Sequence, residues 1–135
     1  MTVTHHDLCF GCGVANLFGL QLELEHTGSG TAAGRFFVKQ DHQGPPGYAH
    51  GGVVATALDE AMALLVHGEG IAALTRRLEV ELLAPTPIGT FAHVRAQLVE
   101  RDGARVVTSA ELAGDDGATV LARARGEFSE LRRRA

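Results

Sequence analysis

The sequence has no tryptophan, one tyrosine and only two cysteines among its 135 residues. Two cysteines can form at most one disulfide within the chain, which adds little to the stability of a fold of this length. A chain of this size can bury a sufficient apolar core without disulfides or a metal. Its 45% apolar and 21% charged side chains are typical of one globular domain. We therefore expect residues 1–135 to form a single domain.

A long apolar run is also missing. The longest mainly apolar stretch, residues 53–66, is interrupted by Asp59 and Glu60 and is shorter than the roughly 20 residues that a membrane helix needs. The N-terminus, Met1-Thr-Val-Thr-His-His-Asp7, has neither a cationic start nor an apolar signal core. The sequence therefore predicts no membrane insertion and a cytoplasmic location.

Basic charge is scarce as well. Twelve Lys and Arg against sixteen Asp and Glu give a net charge of −4, and Lys39 is the only lysine. The one dense basic cluster, residues 132–134, is interpreted as a solvated tail, so we expect no nucleic-acid partner. Because guanidinium groups match phosphate oxygens, the arginines remain compatible with a phosphorylated small ligand.

Alternating apolar and polar side chains predict strands on both sides of one helix. Residues 19–26 alternate with Leu20, Leu22 and Leu24 on one face, and further strands are predicted at 31–39, 73–83, 90–100, 105–112 and 119–128. Between the first two and the last four strands, the pattern from His50 to about Val66 is helical. Short turns predict that the last four strands form an antiparallel meander, and the sheet should wrap around the helix because no other element can cover its apolar face.

The predicted helix carries an acid opposite its apolar arc. An acid in that position is ordinarily a solvent-facing residue, but here the stripe around Asp59 consists of small residues, including Gly52, Thr56 and Ala63, that let another surface approach closely. The helix begins at His50-Gly51-Gly52, where the first N–H groups lack partners inside the helix and can stabilise an oxygen that develops negative charge.

The spacing of these features sets a geometric condition. Asp59 follows His50 by nine residues, which is about 13 Å along a helix, so the helix start and Asp59 cannot touch the same atom within one chain. If both act on one substrate, the site combines two subunits across a two-fold interface. The catalytic interpretation therefore predicts a homo-oligomer, a dimer at minimum. Beyond this geometric condition, a tetramer built as a dimer of dimers is the assembly that we expect.

The segment His50-Gly-Gly-Val-Val-Ala-Thr-Ala-Leu-Asp59-Glu-Ala resembles the HGG…D signature of hotdog-fold acyl-CoA thioesterases of the phenylacetate-pathway (PaaI) and THEM type, in the 4-hydroxybenzoyl-CoA thioesterase superfamily. Cys9-Phe-Gly-Cys-Gly-Val-Ala-Asn16 with Gly19-Leu20 resembles an N-terminal segment of one branch. The resemblance implies an α+β hotdog fold, with an antiparallel sheet of five to six strands around one long central helix. It also implies hydrolysis of acyl-CoA thioesters to a carboxylic acid and CoA, without metal or cofactor.

The resemblance also assigns residues. Gly51 N–H would polarise the thioester carbonyl and His50 would shape the loop, while Asp59 of the facing subunit would act as general base or nucleophile and Thr75 would position the water or the acid. Glu60 is a rival base. Some members carry Asn or Gln six residues before the HGG histidine, where this chain has Gly44 after Gln43. The candidate substrate-binding residues are Gly52, Gln43, His42, Glu60, Arg76 and Arg77, the arginines toward the CoA phosphates.

The pair Cys9 and Cys12 also admits a zinc interpretation, because Cys-x-x-Cys is a common half-site. No second such pair follows at ordinary finger spacing, and His5 and His6 would have to fold back on the same ion. We therefore expect the N-terminal segment, residues 1–18, to pack on the domain without a metal.

Two other functions compete with hydrolysis. A non-catalytic hotdog module that binds acyl-CoA as a sensor would use the same pocket without releasing thiol. A hotdog dehydratase usually pairs a histidine with an acid placed differently, and the nine-residue spacing from His50 to Asp59 argues against it.

Overall fold

One long helix and seven strands make up the regular structure of residues 2–131, the part of the chain that the computed structural model describes. The arginine cluster at 132–134 lies outside it. In chain order the elements are β1 (Thr2–Val3), β2 (Glu23–Gly28), β3 (Thr31–Phe37), a 3-10 turn (Gln40–His42), α1 (Gly51–Gly68), β4 (Ala73–Leu82), β5 (Phe91–Asp102), β6 (Arg105–Ala113) and β7 (Val120–Glu130).

The strands form one antiparallel sheet in the order β1-β2-β3-β5-β6-β7-β4. The α+β hotdog arrangement of a sheet around one central helix is confirmed. The predicted five to six strands become seven, because residues Thr2 and Val3 add a short strand beside β2.

The prediction of a four-strand meander after the helix is wrong for its first strand. β5, β6 and β7 follow one another through short turns, but β4 pairs with β7 and β5 pairs with β3. The connection over residues 83–90 is longer and contains Pro85 and Pro87, which cannot donate ladder hydrogen bonds. It therefore carries the chain from β4, at one edge of the sheet, to β5, beside β3. A tight turn would instead have paired β4 with β5.

The apolar face predicted for residues 20–24 is confirmed, although the strand begins later. Leu20, Leu22 and Leu24 are at most 2% exposed. However, the backbone of Gln21 has a left-handed φ of 54°, which interrupts an extended chain, and the β2 ladder starts only at Glu23. Before that point the N–H groups of Leu20 and Leu22 bond to carbonyls of the N-terminal segment, which therefore takes the place of a strand partner.

Helix α1 lies against the sheet and supplies much of the core. Its predicted range of 50–66 is confirmed within two residues, with His50 as the N-cap and a glycine, Gly70 at φ 79°, just beyond the end. The predicted apolar arc is buried from Val54 to Leu65, with Val53 only partly covered. Within residues 2–131, no helix has the length and apolar character needed to cross a membrane.

Strand β4 is the most exposed of the strands that are longer than two residues. Only β7 pairs with it, and no strand of residues 2–131 lies along its other edge. Residues paired across antiparallel strands share a face, so Leu82, opposite the buried Ala122, faces the helix side together with Leu78. Leu78 and Leu82 are nevertheless 37% and 57% exposed, so the helix covers this part of β4 only in part.

Candidate active site

The start of α1 leaves one of its backbone N–H groups available to a ligand. His50 Nδ1 accepts a hydrogen bond from the Gly52 N–H at 2.9 Å, and His50 O accepts from the N–H groups of Val53 and Val54. The Gly51 N–H has no hydrogen-bond partner among the described residues. The His50 ring therefore caps the helix by accepting the Gly52 N–H. The Gly51 N–H is left as the donor that can bind an external oxygen.

Asp59 lies in the middle of α1, on the side that faces β4. Thr75 Oγ1 donates a hydrogen bond to Asp59 Oδ1 at 2.7 Å. Thr75 points toward the helix because it pairs across the sheet with Phe128, which is buried in the core. A bulge at Arg76 follows immediately and shifts the register of β4, so it sets which side chains beyond Thr75 face the helix.

The surroundings of Asp59 disfavour its charged form. Burial raises the pKa of the Asp59 carboxyl, and the neighbouring charge of Glu60 acts in the same direction. The hydrogen bond from Thr75 and the charge of His5 lower the pKa without cancelling the effect of burial. Thr75 thus holds one carboxylate oxygen in place while the rest of the group is only partly hydrated.

The Gly51 N–H and the Asp59 carboxylate lie at different positions along the same helix. Residues 51–68 form one continuous helix, so Gly51 and Asp59 are about 12 Å apart along its axis. The structure of one chain places Asp59 beside Thr75 and keeps both away from the Gly51 N–H.

A mainly apolar groove opens beside Gly51. It has a volume of about 350 Å³ and runs between the loop before α1 and the end of β4. A methyl group added to Gly51 would lie 3.0 Å from Leu82 Cδ1, so the glycine allows the strand and the helix start to meet closely. The groove is lined by Pro45, Tyr48, Ala49, Gly51, Val54, Leu82, Leu83, Ala84, Pro85 and Thr86.

The loop before α1 holds the candidates His42 and Gln43 in backbone contacts. His42 is 3% exposed, and its Nδ1 accepts a hydrogen bond from the Lys39 N–H at 3.0 Å. Gln43 Oε1 accepts from the Gly47 N–H at 2.6 Å. Both side chains therefore shape the loop.

Glycine at position 44, the departure from the family pattern, has a steric explanation. A Cβ on Gly44 would lie 2.8 Å from the Cα of His50, closer than real side chains approach backbone. An Asn or Gln at this position would need a different loop path.

The two arginines of β4 are exposed. Arg77 forms an ion pair with Glu79 at 2.9 Å, and Arg76 occupies the bulge after Thr75. Both are close along the strand to Thr75 and point away from the core, so a ligand that extends past β4 could reach them.

Glu60 is placed with the N-terminal segment. It is 9% exposed, and its Oε2 is 2.9 Å from His5 Nδ1 and 3.3 Å from Cys9 Sγ. Cys12, 1% exposed, lies in the same cluster, whereas the ring of His6 accepts a hydrogen bond from the Leu8 N–H. Local sequence patterns do not reveal this grouping, because Glu60 follows Cys9 by 51 residues. One signal was available in the sequence. Glu60 lies at the edge of the buried helix arc, and a buried acid needs a polar partner.

Comparison with known proteins gives the family. The model of the thioesterase superfamily matches residues 46–121, which is more than half of the chain and includes the helix, Asp59 and Thr75. The acyl-coenzyme A thioesterase THEM4 of Rattus norvegicus is 30% identical over 89 residues, which is 66% of this chain. The acyl-coenzyme A thioesterase THEM5 of Mus musculus is 28% identical over 89 residues, again 66% of this chain. The chain spans 38% of the rat protein and 36% of the mouse protein.

Solved structures agree on the fold. The thioesterase superfamily protein RHA08564 superposes with a TM-score of 0.84 at 30% identity, over 93% of this chain and 64% of that one. The PaaI protein of the E. coli phenylacetic acid degradation operon superposes with a TM-score of 0.76 at 21% identity, over 82% and 83% of the two chains. The family match and the shared architecture together confirm the resemblance read from the HGG…D segment: this chain belongs to the thioesterase superfamily.

Proposed function

We propose that this protein hydrolyses acyl-CoA thioesters in a site shared between two subunits. In this reaction, water attacks the thioester carbonyl carbon, a C–O bond forms and the C–S bond breaks. The Gly51 N–H of one subunit stabilises the oxygen that becomes negatively charged, and Asp59 of the facing subunit takes a proton from the water and returns it to the departing CoA thiolate. Asp59 acting as nucleophile, through an acyl anhydride that water then cleaves, remains the second mechanism.

The observation that carries this proposal is the carboxylate of Asp59 held by Thr75 on the inner side of an edge strand. A hydrogen bond at 2.7 Å fixes one carboxylate oxygen, and partial burial keeps the other from full hydration, which suits proton transfer or attack. The Gly51 N–H supplies the complementary partial positive charge at the start of the helix. Membership of the thioesterase superfamily and the names of the THEM relatives support thioester hydrolysis over other uses of the two groups.

The two-subunit arrangement is supported by the exposed surface beside Asp59. The outer edge of β4 carries backbone groups that no strand of residues 2–131 pairs with, next to the exposed Leu78 and Leu82. A second copy related by a two-fold axis could continue the sheet through β4 and bring its helix start to Asp59, while covering apolar surface. Such a dimer satisfies the separation of about 12 Å that one chain cannot bridge. Association of dimers into a tetramer stays a prediction.

The substrate is proposed to lie along β4. The apolar groove beside Gly51 would take the acyl group, and its carbonyl would lie at the helix start. Arg76 and Arg77, exposed on the same strand, would meet CoA phosphates. A Streptococcus pneumoniae thioesterase of the same fold was solved with coenzyme A, which agrees with a CoA ester as the ligand class. The cytoplasmic location read from the sequence stays a prediction.

The decisive experiment follows thiol release from a panel of acyl-CoAs with a thiol-trapping reagent. The wild type should release CoA from at least one member, and Asp59→Asn should lower kcat by roughly 100-fold or more, since it removes the proton acceptor and keeps the side chain's shape. Asp102→Asn makes the same exchange at an exposed position at the end of β5 and should keep the wild-type rate. An unchanged kcat in Asp59→Asn would contradict the assignment.

The same panel tests the sensor alternative. A sensor would be stabilised against heat by an acyl-CoA while releasing no thiol, and Asp59→Asn would leave that stabilisation intact. Binding without turnover across the panel would therefore favour the non-catalytic module over the hydrolase.

A further inference from the structure

Four side chains that suit a metal ion meet where the N-terminal segment touches α1. His5 Nδ1, the Sγ atoms of Cys9 and Cys12, and a carboxylate oxygen of Glu60 all lie within 4.8 Å of one another. Three of these residues come from the first twelve positions, and the fourth comes from the central helix one residue after Asp59. None of the four has a role in the hydrolysis proposed above.

The separations match a tetrahedral ion. With Zn–S bonds of about 2.3 Å and Zn–N and Zn–O bonds of about 2.0–2.2 Å, the ligand atoms of a tetrahedron stand roughly 3.3–3.8 Å apart. His5 Nδ1 is 3.7 Å from each sulfur, Cys9 Sγ is 3.3 Å from Glu60 Oε2, and His5 Nδ1 is 2.9 Å from the same oxygen. All the separations lie within 4.8 Å, so side-chain shifts of about 1 Å or less would place the four atoms around one ion.

The backbone around the cluster is built for close approach. A Cβ on Gly11, between the two cysteines, would lie 2.3 Å from Glu60 Cγ, so any other residue there would push the carboxylate out of the cluster. A Cβ on Gly13 would lie 2.4 Å from the carbonyl oxygen of Asp7. The Gly13 N–H donates to Cys9 O at 2.8 Å, which closes the turn that brings both sulfurs to one side.

A backbone N–H group also contacts one of the two sulfurs. The backbone N–H of His5 donates to Cys12 Sγ at 3.3 Å, the kind of contact that orients and stabilises a metal-bound thiolate. Cys12 is 1% exposed and Glu60 is 9% exposed, so an ion held by these two side chains would be shielded from water.

From this geometry we propose that His5, Cys9, Cys12 and Glu60 bind one zinc ion in a closed, four-coordinate structural site. Two sulfurs and an imidazole nitrogen favour zinc or a similar transition metal over magnesium or calcium, which prefer all-oxygen ligands. Four protein ligands leave no position for substrate or water, so the ion would tie the N-terminal segment to α1 without taking part in hydrolysis. This replaces the expectation of a metal-free segment, which rested on the lack of further ligands at finger spacing.

The experiment measures metal in the protein purified under reducing conditions without chelators. We expect one zinc per chain by plasma mass spectrometry. After replacement by Co²⁺, we expect the visible bands of tetrahedral cobalt and a thiolate charge-transfer band. Cys12→Ser and Glu60→Gln should each lower the metal content or weaken binding at least tenfold. His6→Ala changes a neighbouring histidine outside the cluster and should keep one ion per chain.

Each result decides the proposal. Substoichiometric metal in the purified protein and after reconstitution with Zn²⁺, with both thiols titratable, would overturn it, as would full metal content in a Cys9→Ser and Cys12→Ser double variant. If a variant does not fold, the cobalt spectrum of the wild type still shows whether thiolates bind the ion. Because the readout is metal and not turnover, its result does not depend on the proposed hydrolysis.

Discussion

At the scale of single residues, the hydroxyl of Thr75 is the most specific contact of the candidate site. Its one hydrogen bond goes to Asp59, so Thr75→Val, which keeps the branched shape, should lower kcat by about tenfold. Because Thr75 acts through Asp59, KM should change much less than kcat. Steady-state kinetics on the acyl-CoA that the panel identifies provides the measurement.

Thr75→Ser is the matched control for this prediction. It keeps the hydroxyl and should retain most of the wild-type kcat. Equal losses in the valine and serine variants would show that packing, and not the hydrogen bond to Asp59, accounts for the effect.

His42 supplies a prediction about stability and pH. Burial lowers its pKa in the folded protein below the ordinary 6.5, and the charge of Lys39 adds to this, while the Gly19 carbonyl and Asp41 oppose it. The folded state therefore binds fewer protons than the unfolded state, so the contribution of His42 is complete above about pH 6.5 and is lost as the pH falls toward the lowered pKa. His42→Asn, which offers an oxygen to the Lys39 N–H, should remove this dependence.

Urea unfolding between about pH 5 and pH 7.5 measures the effect. The difference in unfolding free energy between the wild type and His42→Asn should shrink as the pH falls, since the other six histidines are common to both proteins. A constant difference across this range would contradict the assignment of the lowered pKa to His42.

At the scale of elements, the start of α1 allows a substitution that removes one donor and little else. Gly51 is the first helical residue, a position that accepts proline, and His50 already has the extended backbone, φ −60° and ψ 138°, that a following proline requires. Gly51→Pro should therefore fold but lose the N–H proposed to bind the thioester oxygen. We expect kcat to fall by roughly 100-fold, as for other lost oxyanion donors.

Gly51→Ala is the control for the proline variant. It keeps the N–H and places a methyl group at the same Cβ position, 3.0 Å from the end of Leu82, a flexible side chain that can shift. Circular dichroism and turnover should be near wild type in the alanine variant. A proline variant that is folded and fully active would remove Gly51 from the mechanism.

The helix and the strands were predicted from local sequence patterns, but the pairing of the strands was not. The HGG start, the apolar arc and the strand patterns predicted α1 and six of the strands to within a few residues, because these depend on neighbours in the chain. The partner of β4 could not be predicted in this way. Its pairing with β7 is a contact between strands far apart in sequence, which no pattern of neighbouring residues specifies.

At the scale of the whole molecule, the shared site predicts complementation between two inactive variants. A dimer that combines a Gly51→Pro chain with an Asp59→Asn chain has one site with both defects and one site with neither. Random pairing makes half of the dimers mixed, so about a quarter of the wild-type activity should return. Co-expression of the two variants, with native mass spectrometry to count mixed dimers, tests this.

A site built within one chain would behave differently. Mixed dimers would then form without any recovery of activity, because every chain would still carry one defect. That result would contradict the two-subunit arrangement while leaving the contributions of Asp59 and Gly51 to be judged from the single variants.

The sequence by itself determined the family, the helix with its HGG start and the position of Asp59 on a stripe of small residues, because helical periodicity and capping act over a few residues. Only the tertiary structure decided that Thr75 holds Asp59, that β4 lies at an edge with exposed leucines, and that Glu60 joins His5, Cys9 and Cys12. Those contacts join segments from 16 to more than 50 residues apart. They arise when the sheet wraps around the helix, a step to which every buried residue contributes and which no local pattern encodes.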